Sequence, residues 1–90
     1  MDTLARELII TGRVQGVNYR SACRRQARSL GVTGWVRNRP DGSVQARAQG
    51  STEAVQQLID RCRLGPGGAA VDEVTIEDVD VEDHSSFEVR

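Results

Sequence analysis

The chain has 90 residues, with 38% hydrophobic and 28% charged side chains, which bounds it to one small domain with a thin core. No apolar run approaches the ~18 residues of a membrane span, and Met1 to Glu7 lacks the apolar centre of a secretion signal; the chain therefore reads as cytoplasmic, without a membrane partner. The formal net charge is −1, but residues 1–63 hold eleven Arg against five acids and residues 64–90 one Arg against eight, so the basic part suits an anionic ligand while the acidic tail opposes a broad nucleic-acid footprint.

Leu4 to Thr11 reads as a strand centred on Leu8, Ile9 and Ile10. The glycines of Gly12-Arg13-Val14-Gln15-Gly16-Val17-Asn18 break it. From Tyr19 the spacing turns helical, with Tyr19, Ala22, Cys23, Ala27 and Leu30 on one face, and Gly31 is placed to end the helix in a left-handed cap. Val32 to Asn38 and Ser43 to Gln49 read as a hairpin around the turn Arg39-Pro40-Asp41-Gly42. In its second strand Val44, Ala46 and Ala48 alternate with polar residues. Ser51 is the N-cap of a second helix with the apolar stripe Val55, Leu58, Ile59 and Cys62, which Gly65-Pro66 ends. Val71 to Val81 reads as an edge strand with Val74 and Ile76 inward and acids outward, and Phe87 and Val89 mark a short extra strand. The order is that of an α+β, ferredoxin-like βαββαβ sandwich, with two helices on one face of an antiparallel sheet. Residues 1–90 are expected to form one domain.

The chemistry concentrates between the first strand and the first helix. The N–H groups of a helix's first turn lack intrahelical partners and carry about half a positive charge, and glycines let neighbouring N–H groups turn inward. Arg20 at the helix entry adds a guanidinium able to grip phosphate oxygens in pairs. Asn38 ends the strand before the hairpin turn, and its amide offers both a donor and an acceptor to a water. Read alone, such a loop is more often a plain connection than a phosphate site, and such an Asn more often starts a turn.

Together the motifs resemble the acylphosphatase family. Ile10 to Arg20 is similar to its first signature, and Gly34-Trp35-Val36-Arg37-Asn38 with Gly42, Val44 and Gly50 to its second. They stand in order and at the right spacing, and the similarity runs through Gly65-Pro66 to the last strand. Tyr19 stands where the family usually has Phe, a change that keeps the ring. The resemblance implies hydrolysis of a small acyl phosphate to carboxylate and inorganic phosphate. Backbone N–H groups of Gln15, Gly16, Val17, Asn18, Tyr19 and Arg20 would bind the phosphoryl group, with the Arg20 guanidinium. Asn38 would hold the attacking water. It implies no metal and no other cofactor, and a monomer is expected.

Three other readings compete. One is a non-catalytic anion- or partner-binding module of the same family, against which the intact Arg20 and Asn38 argue. Another is an RNA-binding sheet, which needs an aromatic array that Tyr19, Trp35 and Phe87 do not form. The third is a fragment of a larger carbamoyl-transfer enzyme, disfavoured by a chain running from Met1 to the last strand. His84 reads as a solvated loop residue, Trp35 as core or hairpin packing, and the acids after residue 71 as the wet side of the edge strand. Cys23 and Cys62 read as two buried thiols on the helices, bridged only if the fold brings them together.

Overall fold

A computed structural model describes residues 3–90; Met1 and Asp2, which belong to the expected domain, lie outside the described residues. The elements are β1 (Thr3–Arg13), α1 (Tyr19–Leu30), β2 (Thr33–Asn38), β3 (Val44–Ser51), α2 (Thr52–Leu64), β4 (Ala70–Val79) and β5 (Phe87–Val89). They form the ferredoxin-like α+β fold, with the sheet ordered β4-β1-β3-β2-β5. The expected antiparallel sheet holds for four strands. The fifth, β5, runs parallel to β2, so the sheet is mixed.

The hydrophobic pattern explains the layers. Leu8 lies between Ala46 and Ile76, and Ile10 between Val44 and Val74, which puts one row of small and branched side chains across the sheet. That row, with Val36, Ala48 and Phe87, is covered by Tyr19, Cys23 and Ala27 of α1 and by Val55, Leu58, Ile59 and Cys62 of α2. Both helices end and begin as their residues dictate. Gly31 takes the left-handed conformation (φ 73°) after α1, and the Ser51 side chain accepts a hydrogen bond from the Ala54 N–H at the start of α2.

Five expectations shift. β1 does not stop at Thr11: it pairs with β4 through Arg13, across a bulge between Thr11 and Gly12. Gly12 has φ 115°, and a Cβ there would lie 2.2 Å from the Ala70 carbonyl oxygen, so only glycine lets the strand continue against its neighbour. Ile76 shares the inner face with Leu8 but is 36% exposed because β4 is an edge. The acids are not confined to the outer face either: Asp78 has the strand parity of Ile76 and accepts from the Arg6 Nε at 3.2 Å, although its side chain stays exposed. Trp35 is not core: it lies on the open face, with the guanidinium groups of Arg90 and Arg37 at 5.1 and 5.9 Å from its ring. His84 is half-buried rather than fully solvated.

This topology makes the site. β1, β2 and β5 point the same way, so Arg13, Asn38 and Val89 end at one edge of the sheet. The chain leaving β1 must cross β3 to reach β2, and α1 starts at that same edge.

Candidate active site

The loop from Val14 to Asn18 folds the anion nest anticipated above. Gly16 (φ 73°) and Asn18 (φ 65°) are left-handed, and Asn18 is the only described residue other than glycine with positive φ. Left-handed residues alternate with ordinary ones along Gln15 to Tyr19, the geometry that turns successive N–H groups toward one point. Among the described residues no acceptor engages the N–H groups of Gln15 to Asn18.

The two helix starts make a telling contrast. α2 has a serine cap and Glu53 in its first turn, both favourable at the positive end of a helix. α1 has no side-chain cap and no acid in its first turn, and carries Arg20 there instead. Its N-terminus is left electropositive and open, which is costly to an isolated helix and useful to a bound anion.

Of the residues expected at the site, Gly16, Asn18, Tyr19, Arg20 and Asn38 line one cavity of about 80 Å³, closed by Val14, Ser21 and Val89. One water needs roughly 10–15 Å³, so a small anion and a water both have room. Asn38 is placed by register: it shares the helix face with Val36 and lies opposite Val44, at the strand end that faces the loop. Its Oδ1 is buried and has no hydrogen-bond partner among the described residues. Buried amide oxygens are nearly always paired, and this one belongs to a residue that lines the cavity. Arg20 donates from one terminal nitrogen to the main-chain oxygen of Arg90 at 2.8 Å, which leaves further donors of the fork unused.

Two expected residues contribute differently. The side chain of Gln15 turns away from the cavity, and its Nε2 donates to the carbonyls of Arg39 (2.8 Å) and Ser43 (2.9 Å). Val17 packs against the core. Sequence reasoning missed Ser21, Arg90 and this Gln15 clamp. A glutamine in a loop that otherwise needs only backbone was the available signal for the clamp. Tyr19 does more than fill space: its hydroxyl donates to the Cys62 carbonyl at 2.7 Å. That carbonyl's helical partner would be Pro66, which has no N–H. Burial, first, and the neighbouring thiol push the Tyr19 phenol far up, keeping it a neutral donor. Among the described residues no group of three or more His, Cys, Asp or Glu is arranged around a metal position.

The fold is a ferredoxin-like sandwich in which an uncapped, arginine-bearing helix start and an unpaired amide at the adjacent strand end meet at one cavity. The acylphosphatase family model matches residues 6–89. An acylphosphatase of Nitrobacter hamburgensis is 54% identical over 74 residues, covering 82% of this chain and 75% of that one. One from Thiobacillus denitrificans is 52% identical over 83 residues, covering 92% of each. The solved structure of a Coxiella burnetii acylphosphatase superposes with a TM-score of 0.95 at 37% identity, over 99% of this chain and 94% of that one. The chain belongs to the acylphosphatase family of hydrolases.

Proposed function

We propose that the chain hydrolyses small acyl phosphates at this edge of the sheet, with Arg20 and Asn38 as catalytic residues. The backbone N–H groups of Gln15 to Arg20 and the Arg20 guanidinium hold the phosphoryl oxygens. Asn38 accepts a hydrogen bond from a water through Oδ1 and holds it opposite the acyl leaving group. The water oxygen bonds to phosphorus as the bond from phosphorus to the acyl oxygen breaks. The bonding pair leaves with the carboxylate, and a phosphoryl oxygen of the substrate takes the water's proton. The products are carboxylate and orthophosphate.

A carboxylate is a good leaving group, so no general acid is needed. In a loose phosphoryl-transfer transition state catalysis is mostly positioning and charge stabilisation. The observation that carries this reading is the electropositive, uncapped start of α1 facing the unpaired Oδ1 of Asn38 across one cavity. The same reading has the chain act as a monomer in the cytoplasm on a dissolved substrate, without nucleic acid, membrane, metal or cofactor.

The test is hydrolysis of benzoyl phosphate with a chelator present. Wild type should turn over. Arg20→Lys should lose about 10²-fold or more in kcat/KM, with a raised KM, because an ammonium cannot reproduce the paired contact. Asn38→Ala should lose mainly kcat. No turnover by a wild type that still binds phosphate would favour the non-catalytic binding module.

A further inference from the structure

Cys23 and Cys62 take no part in that chemistry, yet the fold brings them together. Cys23 lies on the inner face of α1, one turn after Tyr19, and Cys62 on the inner face of α2 near its end. Both are free thiols, buried at 5% and 4% exposure. Their Sγ atoms lie 3.9 Å apart, about 1.9 Å beyond the ~2.05 Å of a disulfide bond.

The pair is also reachable. A cavity of about 210 Å³ between the helices has both cysteines in its wall, with Leu58 and Leu64 on its apolar side and Arg25 and Arg61 beside them. It is separate from the phosphate cavity, sharing only Tyr19 with it. The volume admits a small hydroperoxide. The thiols differ in character. A hydrogen bond with the Cys23 sulfur holds the Cys62 thiol below its ordinary range, against the opposing effect of burial. Its hydrogen bond to Cys62, with burial, pushes Cys23 well up.

We propose that Cys23 and Cys62 form a modification site, a dithiol that a small hydroperoxide oxidises to an intramolecular disulfide joining α1 to α2. The Cys62 thiolate attacks the terminal peroxide oxygen, forming a sulfenic acid as the O–O bond breaks; the departing oxygen takes a proton and leaves as alcohol or, from hydrogen peroxide, as water. The Cys23 sulfur then attacks the Cys62 sulfur. The S–S bond forms, the sulfenic S–O bond breaks, and hydroxide leaves as water with the Cys23 proton. Two thiols are oxidised by two electrons in total and one peroxide is reduced by two. The bridge ties the helix end that presents Tyr19 and Arg20 to the last turn of α2.

The test uses the folded, reduced chain exposed to hydrogen peroxide, then unfolded, alkylated with iodoacetamide and weighed intact. The peroxide dose is one that oxidises a free small-molecule dithiol in the same buffer. The expected product is monomeric, lighter by two hydrogens, without alkylated cysteine, and restored by dithiothreitol. Its thermal midpoint should rise by roughly 10 °C over the reduced form. Cys23→Ser should instead accumulate a sulfenic acid at Cys62 that dimedone traps. Two alkylatable thiols after treatment, disulfide-linked dimers, or a bridge that forms only in denaturant would each overturn the proposal. The wild-type measurement decides it even where a variant folds poorly.

Discussion

The side-chain amide of Gln15 donates to the carbonyl of Arg39 at 2.8 Å, tying the loop between β1 and α1 to the turn that follows Asn38. The same nitrogen reaches the Ser43 carbonyl at 2.9 Å. The two halves of the proposed site belong to segments far apart in sequence, and this clamp sets their separation.

Gln15→Ala should therefore slow turnover more than it weakens substrate binding. Both carbonyls keep a second partner, Arg39 from the Gly42 N–H and Ser43 from the Arg39 N–H. The stability loss should accordingly stay near 1 kcal/mol. Steady-state kinetics with urea unfolding on one preparation separates the effects. A raised KM with unchanged kcat would count against a positioning role.

Asn18 holds a left-handed conformation at φ 65° at the mouth of the loop. Asn18→Gly should be nearly neutral, while Asn18→Val, with a branched Cβ, should lose about 1–2 kcal/mol and bind phosphate more weakly. Calorimetric titration with phosphate and thermal melts check both. Equal behaviour of the two variants would contradict the nest geometry.

The Tyr19 hydroxyl bonds the Cys62 carbonyl, which Pro66 leaves without its helical donor. Tyr19→Phe should cost about 1–3 kcal/mol, the penalty of an unpaired buried carbonyl. A urea midpoint equal to that of wild type would show that another donor takes over.

These residues mark where the sequence was legible. Periodicity placed both helices, and Ser51 and Gly31 were readable as caps because capping is decided by adjacent residues. The alternation of Val44, Ala46 and Ala48 identified the inner face of β3 for the same reason. The extent of β1 was not legible, because its last residues pair only with Ala70 and Val71 across the bulge. Of the two readings of Trp35, core packing fails because its strand parity puts it on the face opposite Val36, among arginines and across the hairpin from Arg47. For the proposed site, the motifs pointed to the Gln15 to Arg20 loop and Asn38, and the fold brings Gly16, Asn18, Tyr19, Arg20 and Asn38 to one cavity. The Gln15 clamp and the Arg20 contact to Arg90 depend on tertiary placement, which spacing alone does not encode.

Asp41 gives the turn a pH dependence. The Ser43 hydroxyl, then the Ser43 N–H, donate to its carboxylate at 2.6 and 2.9 Å, and these bonds, with Arg39 nearby, hold its pKa below the usual carboxylate range. A group lowered on folding contributes stability above its unfolded pKa, near 3.9, and loses it as pH falls through the folded value. Asp41→Ala should thus be less stable than wild type at neutral pH, with the gap narrowing in acid. Urea midpoints measured against pH check this. A gap constant down to the acid limit would exclude the charge as its cause.

The central claim is that water held by Asn38 attacks phosphorus while the Gln15 to Arg20 loop grips the phosphoryl group. It is tested most directly by hydrolysing benzoyl phosphate in water labelled with a heavy oxygen isotope and weighing both products, for wild type and Asn38→Ala. All enzymatic label should enter orthophosphate and none benzoate, and kcat should be about 10²–10³-fold lower in the variant. Label in benzoate, or an Asn38→Ala enzyme at full speed, would contradict it.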